Sequence, residues 1–184
     1  VTRYQHGLPT RRIEVVEASH PLPDGRGEEA ALRMLEMADQ LGQDDLLLAL
    51  ISGGGSSLLA APVEGVSLKE LRQVTKALLH AGATIHDINT VRKHLSRIKG
   101  GRLAAAAWPA PVLTLAISDV PGDNPAVIAS GPTVADPTTA VDALRVLDFH
   151  GIAIQATLRA RLASGELETP KPGDPRLEKS EFRL

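Results

Sequence analysis

Leu46-Leu47-Leu48-Ala49-Leu50-Ile51-Ser52-Gly53-Gly54-Gly55-Ser56-Ser57-Leu58-Leu59-Ala60-Ala61-Pro62 is the stretch whose reading decides the fold. Its six opening apolar residues predict a strand buried on both faces, ending at Ser52. Three glycines follow, so the backbone can take positive φ and come close to a ligand. Ser56-Ser57 then opens a short apolar helix that Pro62 stops. Strand, glycine turn and helix N-terminus aim N–H groups and a positive dipole end at one spot. Each anionic charge there gains roughly 0.3–1 kcal/mol at an exposed terminus. Open α/β sheets bind ligands at the carboxyl ends of their strands, so the turn reads as a phosphate cradle. The plain alternative is a tight β–α turn that needs small residues; serines on both sides of the glycines favour phosphate. The stretch matches neither the dinucleotide G-x-G-x-x-G nor the P-loop G-x-x-x-x-G-K-[ST], so neither motif names the ligand.

On the N-terminal side, Gly27 to Leu41 predicts a helix with Ala31, Leu35 and Ala38 on one face, stopped by Gly42. Before it, Ile13 to Ala18 is a β-rich run that predicts a strand, and Val1 to Tyr4 reads as the tail of another. Ser19 to Gly25 is a loop stiffened by two prolines. His20 lies on it at a strand's carboxyl end, as a solvated loop residue or a ligand contact.

On the C-terminal side, Ser67-Leu68-Lys69-Glu70 is a capping box opening a helix to Gly82, which reads as purely structural. Ile88, Val91, Leu95 and Ile98 then predict one buried helical face, with Asn89, Arg92, Lys93, Ser96 and Lys99 elsewhere. Arg92, Lys93, Arg97, Lys99 and Arg102 form a basic run, either a solvated face or a ligand-facing cluster; Arg92 and Lys93 are its stronger ligand candidates. An alanine-rich helix precedes a second apolar strand, Pro111 to Ile117. It ends in Ser118-Asp119-Val120-Pro121-Gly122-Asp123. Of these carboxylates one suits Mg²⁺ and the other suits accepting a proton from a hydroxyl, although Asp is also an ordinary turn residue. Ser130 and Gly131 lie in a small-residue loop able to approach a ligand. Asp136-Pro137 reads as an N-cap with proline at the first helical position. A further short helix covers Gln155 to Ala163, and residues 165–184 read as a linker or extended segment with a strand beginning at its end.

The bulk numbers bound the rest. The chain has 184 residues, 20 basic against 22 acidic, with net charge −2. That balance gives no electrostatic case for nucleic acid or a membrane surface, and 2% aromatics give no stacking platform. Cysteine is absent, which excludes disulfides and agrees with a cytoplasmic location. No apolar run reaches the roughly 18 residues of a membrane span. Val1 and the strand-like end at Leu184 read as cuts through a longer protein.

Glu17 to Asp24, Ser52 to Ser57, Asn89 to Gly101 and Ser118 to Asp123 with Ala129 to Pro132 resemble, in that order and at matching separations, the second class of glycerate kinases, the MOFRL-containing family. The resemblance implies a Rossmann-like parallel sheet covered by helices on both faces, the middle part of the N-terminal domain of a two-domain protein. It implies ATP-dependent phosphorylation of D-glycerate with Mg²⁺ or another divalent cation. By that resemblance Ser52, Gly53, Gly54, Gly55, Ser56 and Ser57 hold nucleotide phosphates. Asp119 and Lys93 are catalytic, and Asp119 and Asp123 bind the metal. His20, Asn89, Arg92, Lys99, Ser130 and Gly131 face the substrate. The resemblance also implies a family lysine ahead of this chain and the MOFRL domain after it. The expected partners are D-glycerate and that domain, with a homodimer left open. Alternatives are hydroxypyruvate reductase, which some relatives carry as a label, and a non-catalytic phosphate- or sugar-phosphate-binding module. The reductase is disfavoured because the turn lacks G-x-G-x-x-G and a following ribose-binding acid. Ligand sites favour domain interfaces, so this chain alone should fold and bind phosphate weakly without turnover.

Overall fold

The computed structural model describes residues 1–118 and 120–184. It is an α/β structure with two parallel sheets flanked by helices. Strands β1 (Thr2–Arg3) and β2 (Glu17–Ala18) form the smaller sheet. Strands β3 (Leu47–Ile51), β4 (Val112–Ala116) and β5 (Ser180–Arg183) form the larger, in that order and all parallel. The expected strand over Ile13–Ala18 shrinks to Glu17–Ala18 because Ile13 is exposed and has no core to pack against.

Between the strands run α1 (Gly25–Asp39), α2 (Gly55–Leu58), α3 (Leu68–His80), α4 (Ile85–His94) and α5 (Arg102–Ala106), then α6 (Ala140–Phe149) and α7 (Ala156–Ala163). Asp24 caps α1, accepting from the Gly27 N–H at 3.0 Å. The capping box of Ser67 and Glu70 opens α3, and an analogous pair, Thr84 and Asp87, opens α4. Two expectations move. Helix α6 is capped by Thr139 with Asp142, not by Asp136, which is fully buried in an ion pair. Helix α4 ends at His94. Leu95 to Gly101 is a turn in which Ser96 Oγ accepts from the N–H groups of Ile98 and Lys99 at 3.2 and 3.3 Å. A serine offering the backbone an alternative acceptor there ends the helical ladder.

The core has two parts. Helices α3, α4, α6 and α7 bury Leu78, Val91, Leu95, Leu147 and Leu162 among themselves. Helices α1 and α5 bury Ala31, Ala38, Leu103 and Ala104 against Val112 of the larger sheet, with Ile98 between. Helices cover that face alone. Leu48 and Leu50 of β3 are 50% and 72% exposed, so the strand expected to be buried on both faces is open on one and only half-buried on the other. The same parity leaves Leu115 and Ile117 exposed. Strand β3 is the sheet's edge, and an apolar groove of about 570 Å³ runs along it between α1 and Val1.

Candidate active site

The chain leaves β3 at Ser52 and Gly53, both exposed at the strand's carboxyl end. Gly54 has φ 85°, a left-handed conformation that a side chain would strain. Gly55 is required for a different reason: a Cβ there would lie 2.7 Å from the Cβ of Ala129. Helix α2 is a single turn that stops at Leu58, short of the expected Pro62, because Leu59 turns extended. Its dipole is correspondingly small. The donors that the turn offers are backbone groups instead. Among the described residues the N–H groups of Gly53, Gly54, Gly55 and Ser56 find no protein acceptor, an N–H nest of the kind that cradles anions.

The turn is clamped from behind by Ala129, Ser130 and Gly131, with φ of 51°, 63° and 58°. Non-glycine residues in that region cost on the order of 1–3 kcal/mol each and persist only when neighbours over-determine them. Here the neighbours are identifiable. The Gly100 and Gly101 N–H groups donate to the carbonyls of Ser130 and Gly131 at 3.1 and 2.7 Å. The Ser130 hydroxyl lies 2.7 Å from that of Ser56 and donates to Asn89 Oδ1 at 3.2 Å. Three separate sequence candidates, Ser56, Asn89 and Ser130, therefore meet in one bonded cluster. His20 joins them from its loop, its ring against Gly54: a Cβ on that glycine would sit 3.3 Å from His20 Cδ2.

Next to the turn lies a small cavity of about 150 Å³, bounded by Ser56 and Ser57, the Pro21-Leu22-Pro23 loop, α3 and the Arg92–Lys99 region. Lys99 is 3% exposed and its ammonium donates to the Leu59 carbonyl at 2.6 Å. Burial, with the Arg92 guanidinium nearby, lowers its pKa from 10.5 to about 7. Burial alone also lowers that of Arg92. The segment Ala61–Val63 carries the turn to this spot by bonding Leu95–Arg97 across an antiparallel bridge. The cavity also takes in Arg72, which sequence reasoning missed by giving α3 only a structural role. The signal was present: Arg72, Thr75 and Leu79 recur at i, i+3 and i+7, one helix face beside the apolar stripe. Among the described residues, no carboxylate forms an ion pair with Arg72, Arg92 or Lys99.

Other candidates lie elsewhere. The Lys93 ammonium does not line the cavity; it is buried 3.0 Å from Asp136 Oδ1. Asp136 also accepts from the Thr138 N–H and hydroxyl and from the Thr169 hydroxyl at 3.0, 2.7 and 3.0 Å. Burial pushes its carboxyl up, but Lys93 and Thr138 outweigh burial and hold it below its ordinary value. Arg97 is exposed, and Arg102 binds the carbonyls of Leu167 and Glu168. Asp123 lies on an exposed turn with φ 51°. Asp119 lies outside the described residues. Among the described residues no three His, Asp or Glu side chains cluster as a metal site. Nor, among the described residues, is any helix long and apolar enough to cross a membrane.

The chain is similar to known proteins in both sequence and structure. A protein of Agrobacterium vitis provisionally named hydroxypyruvate reductase is 56% identical over 95% of this chain, which covers 40% of that protein. The D-glycerate 2-kinase of Thermotoga maritima is 49% identical over 93% of the chain, again 40% of its own length. A crystal structure of glycerate kinase from Thermotoga maritima superposes with a TM-score of 0.90 at 46% identity, over 99% of this chain and 42% of that one. The chain thus spans about two fifths of the length of the curated relatives it matches. The family described as "Domain of unknown function (DUF4147)" matches residues 1–163. With that match over most of its length, the chain belongs to the DUF4147 family.

Proposed function

We propose that the full-length protein containing this chain transfers the γ-phosphoryl group of ATP to a hydroxyl of D-glycerate, and that this chain holds the acid and part of the phosphate chain. The observation that carries the reading is the cavity: three basic side chains with no ion-pair partner among the described residues, beside a backbone nest, in a space sized for a few-carbon acid. Relatives named glycerate kinase support it. Phosphoryl transfer asks a protein mainly for positioned phosphates, cations and an oriented hydroxyl.

The N–H groups of Gly53 to Ser56, without an acceptor among the described residues, fit nucleotide phosphates. Mg²⁺ is commonly held by one or two carboxylates plus phosphate oxygens, and the exposed carboxylate of Asp123 fits so sparse a set, with Asp119 the second candidate on sequence grounds. When bound, the ion neutralises charge on the transferring group. Asp119 is proposed to accept the hydroxyl proton. Arg92 and Lys99 hold the acid's carboxylate, while Asn89 and Ser130 fix Ser56 at the cavity mouth. Lys93, paired with Asp136, acts in this reading as scaffold rather than as a catalytic group. The reaction is placed in the cytoplasm, with the opposing wall supplied by the MOFRL domain, so this chain alone binds without turnover.

A coupled assay with ATP, Mg²⁺ and D-glycerate on the full-length protein tests the reading. Glycerate-dependent ADP formation is expected; none above background rejects it. The name borne by the Agrobacterium vitis relative motivates a parallel arm, oxidation of NADH or NADPH by hydroxypyruvate, expected to be silent. An Asp119→Asn variant separates a kinase, which loses about 10²–10⁴ in rate, from a binding module, which loses little.

A further inference from the structure

Among the described residues Arg72 forms no ion pair at hydrogen-bond distance. It lies on the α3 face shared by Thr75 and Leu79, and all three line the small cavity. Its Nε is buried and has no hydrogen-bond partner among the described residues. The acid whose charge it feels is Asp24, which already caps α1 through Gly27 and also accepts from Tyr4 and the Ser19 N–H. Arg92 and Lys99 border the same space without a carboxylate among the described residues. Like charges brought out of water around one void repel and lose hydration, and an anion relieves both.

Size and shape narrow the anion. The cavity holds about 150 Å³, against roughly 300 Å³ or more for pockets that take drug-sized ligands, so a nucleoside does not enter. Leu22, Leu71 and the two prolines give it apolar walls suited to a short carbon skeleton. A guanidinium presents a planar fork that matches a carboxylate with two parallel bonds.

We propose that Arg72 is a specificity-determining residue that binds the carboxylate of the acceptor acid, with Arg92 and Lys99 completing the subsite. The assignment rests on the glycerate kinase reading. Inorganic phosphate shares the anion chemistry, and the test separates the two.

The test compares wild-type, Arg72→Met and Arg72→Lys full-length proteins. Loss of a charge-assisted bond predicts a KM for D-glycerate raised about 10–100-fold in Arg72→Met, with kcat and the KM for ATP within about threefold. Arg72→Lys keeps the charge but not the fork, so it recovers part of the loss. Discrimination between D-glycerate and D-glyceraldehyde, which lacks the carboxylate, falls in Arg72→Met. Calorimetric titration with D-glycerate and, separately, inorganic phosphate gives a readout independent of turnover. Weaker glycerate binding with unchanged phosphate binding supports the subsite even in a protein that forms no ADP, an outcome that rejects only the kinase reading. Unchanged glycerate binding in Arg72→Met, weakened phosphate binding instead, or no glycerate binding by wild-type protein overturns the proposal.

Discussion

Replacing Lys93 by Met separates scaffold from chemistry. Lys93 and Asp136 are a buried ion pair, their side chains 6% and 0% exposed and 3.0 Å apart. Removing one partner of such a pair costs about 3–5 kcal/mol, because the other charge stays behind. Asp136 keeps three donors, two on Thr138 and one on Thr169, so the lower end, about 3 kcal/mol, applies. Chains of this length lose about 2–4 °C of melting temperature per kcal/mol, which predicts a fall of about 6–12 °C for Lys93→Met. Adding Asp136→Asn, which removes the orphaned charge, should restore at least half of it. The pH dependence follows from the lowered Asp136 pKa. A carboxylate held below its unfolded value stabilises above that value, and the gain is lost as pH falls through the folded value. Wild type should therefore lose this increment on acidification, and Lys93→Met should have little of it to lose. Thermal unfolding by circular dichroism reads all three proteins. Melting within about 2 °C of wild type, with turnover reduced by orders of magnitude, refutes the scaffold role and returns Lys93 to catalysis.

Lys99→Met should raise melting temperature at pH 7 while abolishing acid binding. A buried ammonium with its pKa lowered from 10.5 to about 7 destabilises the fold at neutral and lower pH, and that cost fades as pH rises from 7 toward 10.5. Because an anion favours the charged form, glycerate affinity in wild type should decline above pH 7 with proton uptake on binding, measurable by calorimetry in buffers of different ionisation enthalpy; pH-independent affinity across 7 to 9 argues against Lys99 in the subsite. Gly55→Ala sets a methyl 2.7 Å from Ala129 Cβ, so about 1–3 kcal/mol of stability and much of the ATP affinity should go, as read by urea unfolding and nucleotide titration.

The parallel sheet was legible because an apolar run closed by glycines admits few structures, and the boxes at Ser67 and Glu70 announce α3 directly. The open face of β3 was not legible, since apolar residues stand on both sides of the strand and the sequence carries no sign of which side lacks a cover. Asp136-Pro137 has the look of a helix start; the tertiary ion pair with Lys93, 43 residues away, takes the aspartate for another use. The basic run showed where the charges are, but not that Lys93 and Lys99 face different neighbours, because the helix between them breaks at Ser96. Arg72 was hidden by the regularity of its own helix. Asn89, Ser130 and Ser56 were each visible as small or polar residues, while their meeting depends on a left-handed turn that local sequence does not encode.

The central claim is a division of labour: acid in the small cavity, phosphates on the glycine turn. A crystal structure of the full-length protein with D-glycerate and ADP tests it most directly. The account predicts the glycerate carboxylate among Arg72, Arg92 and Lys99, with the β-phosphate over the N–H groups of Gly53 to Ser56. Phosphates inside the cavity, or glycerate bound away from all three cations, would contradict it.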